Sequence, residues 1–161
     1  MNLIAKLLPA HNVLLDLDVA SKKRVFEHAG LVFENHHNIA RSLVFESLFA
    51  REKLGSTGLG QSVAIPHGRI KGLKEAIGAV IRTHEPIPFD APDGKPVNLI
   101  FVLLVPERAT DLHLQILSEL AQMFSDKPFR EQLLAASTAQ ALHELITQWQ
   151  PHAANQRSTA V

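Results

Sequence analysis

The stretch "REKLGSTGLGQSVAIPHGR", residues 51–69, decides how the rest of the chain is read. Gly55, Gly58 and Gly60 and the small hydroxyls of Ser56 and Thr57 precede an apolar run, which stops at Pro66-His67-Gly68. A Walker loop requires Gly, four residues, then Gly-Lys-Ser/Thr, and neither the spacing nor the lysine is present. A dinucleotide loop runs strand, GxGxxG, helix, whereas the order here is helix, GxxGxG, strand. What remains is a pliant approach to a strand over about 62–66, with His67 displayed at its end. Pro66 fixes its own φ and biases Ile65 toward an extended conformation. Gly68 removes a side chain beside the imidazole, so that another backbone can come close. An imidazole with an ordinary pKa of about 6.5 offers a neutral, nucleophilic nitrogen near neutral pH. The same tripeptide also reads as a plain turn after a strand.

Working outward, a chain of 161 residues that is 46% hydrophobic suits one α/β domain over 1–150, followed by a polar tail over 151–161 that is expected to be disordered. VLLDL at 13–17 reads as a first short strand, and Ser21 as the cap of a helix over about 22–35. A second helix follows, with Gly55 placed to end it. Ala76 to Thr83 and Val97 to Val105 are near-continuous apolar runs, as in strands buried on both faces, with a turn at Asp93-Gly94 between them. Helices are predicted over about 110–124, 128–135 and 138–149, and together these elements imply helices on both sides of a small mixed sheet.

Composition excludes several functions. Sixteen basic side chains balance sixteen acidic ones, so there is no broad attraction to nucleic acid or anionic lipid. The absence of cysteine removes disulfides, thiolate metal sites and a thiol nucleophile, and fits a reducing cytoplasm. MNLIAKLLPAHN reads as a short helix rather than an export signal, and no segment is long enough to span a bilayer. Nine histidines raise the alternative of a metal site or a hydrolase. His36 and His37 are adjacent and diverge on a helix, however, and neither HxxxH nor HExxH occurs. Lys22-Lys23-Arg24 reads as a solvated face.

A second histidine strengthens the first. Thr110-Asp111 resembles a helix N-terminus, which puts His113 in the first turn, where unpaired N–H groups and the helix dipole favour a phosphate. The preceding strand could bring its carboxyl end, and so His113, beside His67. His113 also reads as an exposed first-turn residue.

With these residues in place, 51–69 resembles the active-site signature of the type-2 enzyme IIA family of the bacterial phosphoenolpyruvate-dependent phosphotransferase system, the fructose/mannitol class. Glu52 stands upstream of Leu59-Gly60, which precedes the run from Val63 to Gly68. "VPERATDLHLQILSELAQMF" is similar to the family's second block. The REKLGSTG form and the lone domain resemble the nitrogen-regulatory branch rather than a sugar-transport component. Ser62 departs from the pattern, standing where glycine is common.

The resemblance implies that His67 accepts phosphate on Nε2 from a histidine-phosphorylated HPr-like carrier and that His113 supports the phosphoryl group without carrying it. Arg51 matches an arginine near the site, and Ser56, Thr57 and Gly68 are phosphate-loop candidates. No metal or other cofactor is implied. The expected function is a cytoplasmic phosphotransferase component that controls partners, such as potassium-transport or sensor-kinase components, according to its phosphorylation state. The alternatives are a sugar-transport IIA component and a binding module that is never phosphorylated.

Overall fold

The structure is a computed structural model, and it describes residues 2–108 and 111–150; Thr110 and the tail at 151–161 lie outside them. The N-terminal segment makes two 3-10 turns, Ile4–Lys6 and Ala10–Asn12, rather than one continuous helix, because Pro9 has no N–H to extend the first. Strand β1 (Val13–Leu17) follows, then α1 (Lys22–His37) and α2 (Arg41–Glu52). Ser21 Oγ accepts the Arg24 N–H at 3.3 Å, and Asn38 closes α1 in a left-handed conformation.

Short strands β2 (Gly58–Gly60), β3 (Val63–Ala64) and β4 (His67–Ile70) lead to β5 (Ile77–Ile87) and β6 (Val97–Pro106). The chain closes with α3 (Asp111–Ser125), α4 (Lys127–Ala135) and α5 (Ala139–Gln148). The sheet order is β1-β5-β6-β3-β2, with β4 also paired to β6. β5 and β6 run antiparallel, whereas β3 and β4 both lie parallel to β6. The mixed sheet between helices is the architecture the sequence implies.

Strand β6 explains why its sequence is almost unbroken in apolar residues. Phe101, Leu103 and Val105 join Ile116, Leu120 and Ile146 of the C-terminal helices in one core. Ile100, Val102 and Leu104 join Phe26, Phe33 and Leu48 of α1 and α2 in the other. Both faces of the strand are buried, so alternation gives way to a continuous run. Trp149, at 8% exposure, belongs to the first of these cores and ties the end of α5 to it.

One strand differs from its expectation in a way that shapes the site. Instead of a continuous strand over 62–66, β3 ends at Ala64 and β4 resumes at His67, both on the same edge of β6. Pro66 cannot donate to the ladder, although its carbonyl still accepts the Leu103 N–H at 2.9 Å. His67 therefore opens a strand rather than ending one.

Candidate functional site

His67 sits at the interruption between β3 and β4, half-buried, with its Nδ1 2.9 Å from the Ile65 carbonyl. A carbonyl only accepts, so this contact places the ring proton on Nδ1 and leaves the Nε2 lone pair available. Burial is the largest influence on His67 and holds its pKa below the ordinary 6.5; the Arg51 charge acts the same way, while the Ile65 carbonyl and Glu52 oppose it. The imidazole is thus kept neutral near pH 7, as a nitrogen nucleophile requires.

His113 lies in the first turn of α3 and is 9% exposed, which sets aside the exposed reading. Its ring centroid is 5.6 Å from that of His67, with the planes inclined at 64°. Helix α3 and strand β4 thus bring together two histidines separated by some 46 positions of sequence. Arg51, in the last turn of α2, donates from Nη1 to the Gly55 carbonyl at 2.8 Å, so it braces the glycine loop as well as lowering the His67 pKa.

The loop candidates have other engagements. Thr57 is buried, and its hydroxyl donates to Glu52 Oε1 at 2.6 Å. Ser56 Oγ donates to the Phe89 carbonyl at 2.9 Å and accepts the Gly58 N–H at 3.0 Å. Both hydroxyl protons are directed to groups of the protein itself, and the two residues shape the loop. At Gly68 the close neighbour is Ser47 of α2: a Cβ there would fall 3.0 Å from the Ser47 Cβ and closer still to its Oγ. The approach that Gly68 permits is therefore α2 packing on β4 within the chain, rather than a partner's backbone.

Sequence reasoning missed the anchor of this loop. Glu52 is 7% exposed, takes the Thr57 N–H at 3.1 Å in addition to its hydroxyl, and pairs with Lys22 Nζ at 3.1 Å. Lys22 Nζ also donates to the Phe89 carbonyl at 3.2 Å, so this lysine is not part of a solvated face. The signal was an acidic residue within an otherwise glycine-rich motif. On the far side of the loop, Asp93 accepts N–H groups from Lys95 and Gln61, and these bonds hold its carboxyl below the usual range. They clamp a segment in which Gly60, Gln61 and Ser62 all have positive φ, +87°, +57° and +65°, so Ser62 adopts a conformation that favours glycine.

The model of the phosphoenolpyruvate-dependent sugar phosphotransferase system EIIA 2 family matches residues 6–149. The chain belongs to that family. A nitrogen regulatory protein of Pseudomonas aeruginosa is 46% identical to it over 134 residues, covering 83% of this chain and 87% of the relative. The crystal structure of nitrogen regulatory protein IIA-Ntr from Neisseria meningitidis superposes with a TM-score of 0.86 at 58% identity, covering 90% of this chain and 99% of that one. The mannitol IIA of Escherichia coli shares the fold at a TM-score of 0.73 and 23% identity, covering 86% of this chain and 97% of that one. Within this EIIA 2 chain, no helix of the described residues is long and apolar enough to cross a membrane. His36 and His37 have His11 beside them, at centroid distances of 4.4 and 5.4 Å. Among the described residues no group of three or more His, Cys, Asp or Glu is arranged to hold a metal ion.

Proposed function

We propose that this EIIA 2 protein is a phosphoryl carrier of the nitrogen-type phosphotransferase system, accepting phosphate on His67 and acting on its targets according to phosphorylation state. The observation that carries the reading is the His67 Nδ1 contact with the Ile65 carbonyl at 2.9 Å, which directs the Nε2 lone pair outward from that bond. In the transfer, the nitrogen–phosphorus bond of a histidine-phosphorylated HPr-like carrier breaks as the bond to Nε2 forms. The leaving nitrogen keeps the bonding pair, and Nδ1 keeps its proton against the carbonyl. Little more is needed than in-line placement and cover for the equatorial oxygens. His113 is suited to supply that cover from across the site, and the Arg51 guanidinium adds charge.

Similarity to the nitrogen regulatory proteins, at 46% and 58% identity, exceeds that to the mannitol IIA and favours a regulatory over a sugar-transport role. Protein targets such as potassium-transport or sensor-kinase components in the cytoplasm fit that role. The site offers a way to signal to them, because a phosphoryl group adds nearly two negative charges beside a loop held by Arg51. Incubation with phosphoenolpyruvate, enzyme I and an HPr-like carrier tests the reading. A phosphoryl adduct on the wild type, absent from His67→Ala, is expected. No adduct while the carrier itself is phosphorylated would leave a binding module.

A further inference from the structure

A cavity of about 420 Å³ borders His113 without bordering His67. Its accessible apolar lining comes from half-buried Leu3 and Ala76 and from Leu112, which is 50% exposed, over buried Leu7, Val105 and Ile116. Lys6, Lys74 and Glu75 line it as exposed residues. A neighbouring hollow of about 410 Å³, which extends to His37, shares both lysines. Both lysines thus line a pair of adjoining recesses. Neither lysine enters an ion pair within the described residues, unlike Lys22, Arg24, Arg41 and Arg82.

We propose that the cavity beside His113 binds a small organic anion with an apolar body, such as a medium-chain carboxylate. Its charge is held by Lys6 and Lys74, and its apolar part lies against Leu3, Ala76 and Leu112. Two cations against the single carboxylate of Glu75 select an anion over a cation. The apolar floor selects a ligand with hydrocarbon to bury over a bare inorganic ion. The cavity has a size in the usual range for small-molecule sites. Because His113 forms part of its wall and also faces His67, an occupant contacts one side of the phosphate-supporting ring. The site shares the His113 wall with the proposed phosphoryl relay, and its occupancy can be read without any phosphate present.

The test uses octanoate as the anionic probe and octanol as its neutral counterpart, titrated into the isotopically labelled full chain and followed by NMR. Octanoate is expected to shift the amides of Leu7, Ala76, Val105 and Ile116 and the ring protons of His113, saturably. Lys6→Ala combined with Lys74→Ala should weaken octanoate by about tenfold, since each removes one exposed charge contact, and octanol should bind the wild type about as weakly. Ala76→Leu, which fills a wall position, should reduce binding of both probes while the remaining spectrum stays folded. Shifts that do not saturate or that map elsewhere would overturn the proposal, as would equal binding of octanol and octanoate.

Discussion

The two helical layers reach the site by different physics. Beneath the glycine loop, α1 and α2 meet in a buried polar knot, where Lys22 and Glu52 pair at 3.1 Å and Thr57 closes on the same carboxylate. Across the sheet, α3 positions His113 through apolar packing, with Ile116, Leu120, Met123 and Phe124 buried along its inner face. One side tunes the charge on His67, and the other places a neighbour beside it. A buried pair is sensitive to loss of either partner, whereas an apolar helix face tolerates graded change.

The largest effect belongs to the α3 side. His113→Ala should still accept phosphate but transfer it about 10²- to 10³-fold more slowly, as for loss of one donor in a preorganised site. Transfer rates from a phosphorylated carrier measure this, and unchanged rates in both directions would remove His113 from the site. On the α1/α2 side, Lys22→Met should destabilise the fold by about 3 kcal/mol in urea unfolding, because it strands the buried Glu52 carboxylate. Lys23→Ala, at an exposed neighbour, should change stability by no more than about 0.5 kcal/mol. Equal effects of the two would mean the buried pair is not what holds the layer.

Gly68→Ala should cost about 2 kcal/mol by driving a methyl group into Ser47, and Ser47→Ala in the same chain should restore part of it. No recovery would show that α2 can shift away from β4. The smallest effects are electrostatic. By NMR titration His67 should protonate below pH 6.5; Arg51→Ala should move its midpoint up and Glu52→Gln should move it down. Because the folded-state value is depressed, phosphate acceptance should persist as pH falls through the ordinary histidine value and fail only below it. Movement of the midpoint in the opposite sense in either variant would contradict the charge assignment.

Much of this arrangement was legible in the sequence. The apolar runs of β5 and β6 and the spacing of Val25, Phe26, Ala29, Val32 and Phe33 fixed the layers, because strand and helix periods differ and burial enforces them. The resemblance pointed to His67, His113 and Arg51, and the fold puts the two rings 5.6 Å apart. What stayed hidden were pairings between residues distant in sequence. Lys22 looked like one of three basic residues in a first turn, and nothing local to it reveals a partner thirty positions away. Ser56 and Thr57 read either as phosphate-loop donors or as turn-forming residues, the latter favoured for Ser56, because the acceptors that engage their hydroxyls, the Phe89 carbonyl and the Glu52 carboxylate, are brought to them by the fold. The strand expected to run to Pro66 and stop there instead ends at Ala64 and resumes at His67, since an apolar run does not report which N–H is missing from a ladder.

The central claim is that the Nε2 atom of His67 is the phosphoryl acceptor. The most direct measurement is NMR of the chain labelled with ¹⁵N at its histidines, after phosphorylation by the HPr-like carrier, reading the nitrogen–phosphorus coupling of the adduct. The account predicts a single phosphohistidine, at His67, coupled through Nε2, with Nδ1 still protonated toward the Ile65 carbonyl. Coupling through Nδ1, or a phosphoryl group on His113 or any other histidine, would contradict it.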